Sequence, residues 1–183
     1  MEGTPGSPGT AYIKLVSKTV TGMGVMPGIA TCGVLDMSSM SNIQPKSGFP
    51  YTSRPAQLTG NWQYMAYGSD QGYISVLLTK WNTSMSMRDT VAYTKQLLSG
   101  MAMSWAPFTM NLTYKSAATP DSAIIVLSAS GATPVANSYL YADNLAFAGS
   151  TTSVASVANP DNTVAVVPNP AHGNATISYT SNA

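Results

Sequence analysis

The sequence predicts an all-β protein, an antiparallel β-sandwich or jelly roll, because period-two patterning is widespread, turn clusters recur between the patterned segments, and helical spacing is nearly absent. From Phe108 to Lys115, the residues Phe108, Met110, Leu112 and Tyr114 alternate with Thr109, Asn111, Thr113 and Lys115. Successive strand side chains point to opposite faces, so this is the pattern of a half-buried antiparallel strand. Ser122 to Ser128 instead carries the unbroken run Ile124-Ile125-Val126-Leu127 between Pro120-Asp121 and Gly131. A short apolar run between turn signals predicts a central strand covered on both faces. Further strands are expected at Ala11 to Ser17, within Gly28 to Asp36, at Gly60 to Ala66, at Gly72 to Trp81, within Arg88 to Gln96 and at Ser138 to Ala148. The clusters Pro45-Lys46-Ser47-Gly48, Gly68-Ser69-Asp70-Gln71-Gly72 and Thr119-Pro120-Asp121 separate them as turns, supplying residues that preset φ, accept positive φ or cap their own backbone. Thr90 to Met103 is the one modest helical candidate, interrupted by Gly100. About eight strands with such breaks imply a two-sheet sandwich.

Composition narrows the partners. Only 8% of the residues are charged, so solubility rests on hydroxyls and amides, a surface typical of exported β proteins. The formal net charge of +1 is spread over isolated Lys and Arg with no basic run, which argues against a nucleic-acid partner. The longest apolar runs fall far short of the roughly 20 residues of a spanning helix, so no transmembrane segment is expected. Cys32 is the sole cysteine, which excludes an intrachain disulfide and a thiolate zinc site. Its neighbours Ile29, Ala30, Val34 and Leu35 predict a buried thiol.

The chain divides by composition. Residues 1–10, MEGTPGSPGT, read as a flexible start or linker without signal-peptide character, and residues 11–148 as the sandwich. Residues 149–162 are small and polar and read as a linker. Residues 163–183 begin a second unit, with short strands at Val164 to Val167 and Ala175 to Tyr179 around the turn Pro168 to Gly173.

Catalytic chemistry is hard to assemble. The sole His, His172, lies beyond the linker, so no Ser-His-Asp or Cys-His arrangement is available to the sandwich. Asp36, Asp70, Asp89, Asp121 and Asp143 are its carboxylates, and a glycosidase would need two of them about 5–10 Å apart across a sugar. Asp70 and Asp121 read more simply as turn residues. Gly22-Met23-Gly24 runs into Val25, Met26 and Pro27 rather than a helix, so it predicts a turn or bulge and not a phosphate loop. Aromatic residues are the stronger signal. Trp62 and Tyr64 share a strand face, Trp81 ends another strand, and Tyr51 lies beside a loop. Flat rings pack on the C–H faces of sugars while nearby amides and hydroxyls bond the sugar hydroxyls, although the same rings serve equally as core. Arg54, between Tyr51 and Pro55, can stack on a ring, anchor a carboxylate or act as a structural clamp. Asp143 sits in an otherwise apolar strand, where a carboxylate needs a partner.

Two stretches resemble known families. The tail VAVVPNPAHGNATISYT resembles the start of the C-terminal sorting domain of the type IX secretion system of Bacteroidetes. The segments GFPYTSRPAQLTGNWQYM (from Gly48), ISVLLTKWN (from Ile74), RDT (from Arg88), PDSAIIVLSAS (from Pro120) and SYLYADNLAF (from Ser138) resemble a carbohydrate metabolism domain found upstream of such signals. That resemblance implies a jelly-roll module similar to carbohydrate-binding modules, secreted or displayed at the outer-membrane surface and exported by the type IX machinery. It also implies a structural Ca²⁺ at Asp143, near the last strand. The expected function is a non-catalytic accessory module that binds polysaccharide, with Trp62, Tyr64, Trp81, Tyr51 and Arg54 as candidate contacts. A structural or adhesive spacer is the alternative, and a small carbohydrate-active enzyme with paired Asp residues is a third reading.

Because the linker is too polar to dock, deleting residues 163–183 is expected to leave the melting temperature of the sandwich nearly unchanged. Calorimetry showing a drop of several degrees would mean that the tail packs on the domain.

Overall fold

In the computed structural model, which describes residues 11–36, 44–98, 100–150, 162–167 and 176–181, every regular element is a β-strand. The first eight are β1 (Ile13–Val16), β2 (Lys18–Val20), β3 (Gly24–Met26), β4 (Ile29–Asp36), β5 (Gln44–Pro50), β6 (Gln57–Met65), β7 (Tyr73–Asn82) and β8 (Met87–Leu97). The chain continues through β9 (Ala102–Asn111), β10 (Ser122–Ser128), β11 (Tyr139–Ala148), β12 (Asn162–Val167) and β13 (Thr176–Ser181). It forms two units, residues 1–152 and residues 153–183.

The first unit is an antiparallel sandwich. One sheet has the order β4-β5-β10-β7-β8 and the other β1-β11-β6-β9. All seven residues of β10 are buried, as its unbroken apolar run requires, and it pairs with β7 along its whole length from Ser122–Thr79 to Ser128–Tyr73. On its other side it is shared by two strands, β4 at Ile125–Cys32 to Ser128–Ile29 and β5 at Ser122–Pro50 and Ala123–Phe49. Between the sheets Leu58, Val76, Leu78, Val91 and Leu140 are wholly inaccessible to solvent. Burying a side chain of this kind contributes about 1.5–3 kcal/mol.

Several sequence expectations are corrected. Thr90 to Met103 contains no helix: it forms the end of β8 and the start of β9 around Gly100, whose φ of 72° breaks the strand. The turn expected at Pro45 to Gly48 lies within β5. Gly48 makes this possible, since a Cβ there would collide with the carbonyl of Ala123 and the hydroxyl of Ser122. Its hydrogen atom lets β5 close on β10. Cys32 is exposed rather than buried, because β4 is marginal and beyond Cys32 leaves β10 to pair with β5. Gly22 and Gly24, both at φ 80°, make the expected turn, but it joins the short β2–β3 hairpin, which the pattern had not revealed. The alternation from Phe108 to Tyr114 survives in the packing of Phe108, Met110, Leu112 and Tyr114 on the core. Its strand, however, spans a sheet change: β9 ends at Asn111, and the chain then joins β8 through Tyr93 N to Thr113 O (3.1 Å) and Lys115 N to Val91 O (2.8 Å).

One end of the sandwich is closed by a buried polar cluster. Asp70, only 8% exposed, accepts hydrogen bonds from Ser130 Oγ (2.5 Å) and from the backbone N–H of Gln71 (2.8 Å), Gly131 (3.0 Å) and Val135 (3.0 Å). Ser130 Oγ also meets Ser17 Oγ at 2.5 Å, and Ser17 Oγ accepts from Gly28 N at 3.2 Å. Ser138, likewise inaccessible, accepts from Tyr67 N, and its backbone carbonyl accepts from Ser17 N at 2.9 Å. The cluster thus ties the end of β1, the β6–β7 loop, the end of β10 and the entry to β11.

The second unit is an antiparallel hairpin of β12 and β13, in register from Asn162–Ser181 to Val167–Thr176. The turn expected at Pro168 to Gly173, residues 1–10 and all of the expected linker after Ser150 except Asn162 lie outside the described residues. Among the described residues no helix is long and apolar enough to cross a membrane.

Burial pushes the Asp70 carboxyl up, but the hydrogen bonds from Ser130, Val135, Gly131 and Ser138 outweigh it and hold the pKa below 3.8. A carboxyl whose pKa is lower folded than unfolded stabilises the fold above the unfolded value, and that stability is lost as pH falls through the folded one. Urea melts are therefore expected to lose stability below about pH 4, and Asp70→Asn to flatten that acid limb. At neutral pH the same variant should cost about 1.5–3 kcal/mol, the range for hydrogen bonds to a charged group. An unchanged acid limb in the variant would remove Asp70 from this role.

Candidate functional site

The outer face of the four-stranded sheet carries the densest aromatic grouping outside the core. Leu15, Leu58, Phe108, Met110, Leu140 and Ala142 point inward from its four strands. By alternation, Tyr139, Tyr141 and Asp143 of β11 point outward. Register places Lys14 of β1 and Gln63 of β6 on either side of Tyr141. Beside Gln63 the pairing of β6 with β9 shifts register between Trp62 and Tyr64. A bulge of this kind re-aims side chains, and here Trp105 turns toward Tyr12.

The rings form a continuous layer. Tyr139 and Tyr141 stack at 4.7 Å between centroids and 28° between planes. Tyr12 lies 5.5 Å from Tyr141 and meets Trp105 edge-on at 5.4 Å and 81°. Lys14 Nζ sits 5.5 Å from the Tyr141 centroid, and Tyr139 Oη donates to Met103 Sδ at 3.7 Å. Beside Tyr141, Gln63 is only 4% exposed. Two buried polar atoms of this face have no partner: Trp105 Nε1, a donor, and Asp143 Oδ2, an acceptor. Asp143 Oδ1 accepts from Asn144 N (2.8 Å), where the strand bulges and Asn144 adopts a φ of 54°. Burial, reinforced by Tyr141 and Tyr67, pushes the Tyr139 hydroxyl above its usual pKa of 10.0, so it remains a hydrogen-bond donor at neutral pH. Tyr67, Met101 and Met103 are exposed. The face therefore offers flat rings, neutral donors and acceptors, and little charge.

No family model, curated protein or solved structure matches this chain.

The residues singled out from sequence lie elsewhere, apart from Asp143. Tyr64 is in the core at 1% exposure, its hydroxyl accepting from Gly72 N at 2.7 Å, so its ring offers no contact surface. Trp62 packs inward beside it, with ring centroids 6.3 Å apart, and 5.8 Å from Phe108. Tyr51 is wedged against the core between Phe49 and Phe147, at 6.1 and 4.7 Å. Arg54 clamps the segment after β9: its Nη1 donates to the carbonyls of Ser116 and Ala118, and its guanidinium lies 4.1 Å from the Tyr114 centroid. Trp81 is the exposed one, at 47%, but it stands alone at the end of β7 with Arg88 5.9 Å from its centroid. Asp143 does reach the outer face. Among the described residues no group of three or more His, Cys, Asp or Glu is arranged to hold a metal, so a calcium ion here would take most of its roughly 6–8 oxygens from other groups.

Tyr12, Trp105, Tyr139, Tyr141 and Gln63 were not singled out from sequence as a site. The signal for the β11 pair lies in Tyr139, Tyr141 and Asp143 alternating with Leu140 and Ala142, two rows that cannot share one core.

Tyr64→Phe is expected to destabilise the domain by about 1–3 kcal/mol, because the buried Gly72 N–H loses its acceptor. Trp81→Ala should stay within about 0.5 kcal/mol of wild type, as is usual for exposed sites. Denaturant melts that reversed this order would place Trp81, not Tyr64, in the core.

Proposed function

We propose that the sandwich is a non-catalytic accessory module, of the jelly-roll kind, that binds polysaccharide through the outer face of its four-stranded sheet. The observation that carries this reading is the ring layer of Tyr12, Trp105, Tyr139 and Tyr141 together with the unpartnered Trp105 Nε1 and Asp143 Oδ2 on the same face. Rings of this kind pack on the C–H faces of a sugar while amide and phenol groups bond its hydroxyls. The polar cluster at the base supports it, because Ser138 and the Asp70 bonds to residues 131 and 135 fix the backbone entering β11 just before Tyr139. Surface display by type IX export rests on the resemblance of the tail and on the charge-poor composition.

Three of the described carboxylates support a binding rather than a catalytic role, since each of the three serves a separate local purpose. Asp70 closes one end of the sandwich, Asp89 accepts from Asn82, and Asp121 accepts from Trp81 N and pairs with Arg88 at 2.5 Å. The spacer reading draws on the exposed Met101 and Met103, since methionine suits adaptable protein contacts.

Affinity electrophoresis through gels containing neutral polysaccharides tests the proposal. The wild type should be retarded by at least one of them, and Trp105→Ala and Tyr139→Ala should each lose most of the retardation while keeping a β-type circular dichroism spectrum. Free migration of the wild type in every gel would leave the spacer reading in its place.

A further inference from the structure

Resting on that reading, we infer that Tyr12 is a displaceable cover over a polar subsite whose donor is Trp105 Nε1 and whose acceptor is Asp143 Oδ2, and that the subsite takes an uncharged sugar ring. Both atoms are buried and both lack a partner. A buried polar atom without a partner is costly, and native proteins keep few of them without a reason. Here a donor and an acceptor remain unsatisfied on the same outer face. A sugar carries adjacent hydroxyl groups, each able to accept and donate, and so offers a partner to a donor and to an acceptor alike.

Tyr12 is the side chain placed to cover them. Extending the β1–β11 register one step beyond Ile13–Ala142 sets Tyr12 opposite Asp143, and the Tyr12 ring meets that of Trp105 edge-on at 5.4 Å. It precedes the first paired residue of β1, so no ladder pair holds its backbone, and its ring is kept in place by Trp105 and Tyr141. Rotation of one half-buried phenol therefore opens the site without breaking a strand pair. The charge of the ligand follows from Asp143. One of its oxygens is taken by Asn144 N, and the other is a carboxylate acceptor that attracts a hydroxyl and repels a uronate or sulfate.

Three variants and two kinds of probe separate the outcomes. Trp105→Phe keeps a ring and removes the N–H, Asp143→Asn keeps the shape and removes the charge, and Tyr12→Ala removes the cover. The probes are neutral xylan, β-glucan and galactomannan, with polygalacturonate as the anionic counterpart. On the neutral polysaccharide that the wild type binds, Trp105→Phe and Asp143→Asn are each expected to lose about tenfold in affinity. Tyr12→Ala should bind at least as tightly as wild type, and polygalacturonate should not be retained. Titration should also shift the Trp105 indole N–H proton resonance, identified by its loss in Trp105→Phe, a readout that remains should Asp143→Asn fail to fold. Wild-type affinity in Trp105→Phe with a stationary indole resonance would overturn the subsite and leave the platform standing. Loss of binding in Tyr12→Ala would make Tyr12 a wall and overturn its role as cover. A wild type that binds none of the neutral polysaccharides would overturn platform and subsite together.

Discussion

A single ionised carboxylate, Asp70, organises the end of the sandwich where four chain segments meet. It is nearly inaccessible, and a charge in that position is tolerable only because donors surround it. They come from a loop after β6, from the end of β10 and from the segment entering β11, with Ser130 passing the connection on to Ser17 at the end of β1. The bonds do more than neutralise a local cost. They fix where β11 starts relative to β1 and β6, and hence how Tyr139 and Tyr141 line up with Lys14 and Gln63. The aromatic face depends on an anchor that contributes no atom to it.

Much of the fold was legible because strand patterning is local. The run Ile124 to Leu127 could only be a strand covered on both faces, and the alternation from Phe108 to Tyr114 marked the inward residues even across the change of sheet. Gly48 misled for the opposite reason: glycine and proline usually punctuate, but here glycine serves a close approach between backbones that no sequence pattern encodes. Cys32 misled because apolar neighbours on a marginal strand say nothing about how far the adjacent strand extends. The ring layer was harder still. Trp62 and Tyr64 have the residue types of a binding surface, yet they share a face with Leu58, so parity assigns them to the core. Tyr12 and Trp105 come together only through a register shift in β9 and a three-strand separation across the sheet. Nothing local announces that meeting.

The same economy of charge marks both faces of the protein. A fixed ion pair, Arg88 with Asp121, lies near the end of β7, and the cations near the aromatic face and along β8 rest over rings, Lys14 near Tyr141 and Lys95 over Tyr73. With few free charges, long-range electrostatic steering is weak. Under the proposed function, recognition then rests on contact geometry and on the fit of neutral donors and acceptors, which suits a partner that is itself uncharged and repetitive.

The pairing of β1 with β11 also has a mechanical consequence. The two strands are antiparallel neighbours, so the beginning of β1 and the end of β11 lie toward the same end of their sheet. Tension applied through the segments flanking the sandwich loads the rungs one at a time from Ile13–Ala142 onward, as a zipper opens, rather than shearing all four together. Rungs broken in sequence yield at lower force than rungs broken at once. The first side chains to be drawn away are Tyr12 and then Lys14, both part of the aromatic face. Traction on the chain therefore dismantles the aromatic layer before it reaches the Asp70 anchor at the far end, so that this face loosens under load while the rest of the sandwich stays closed.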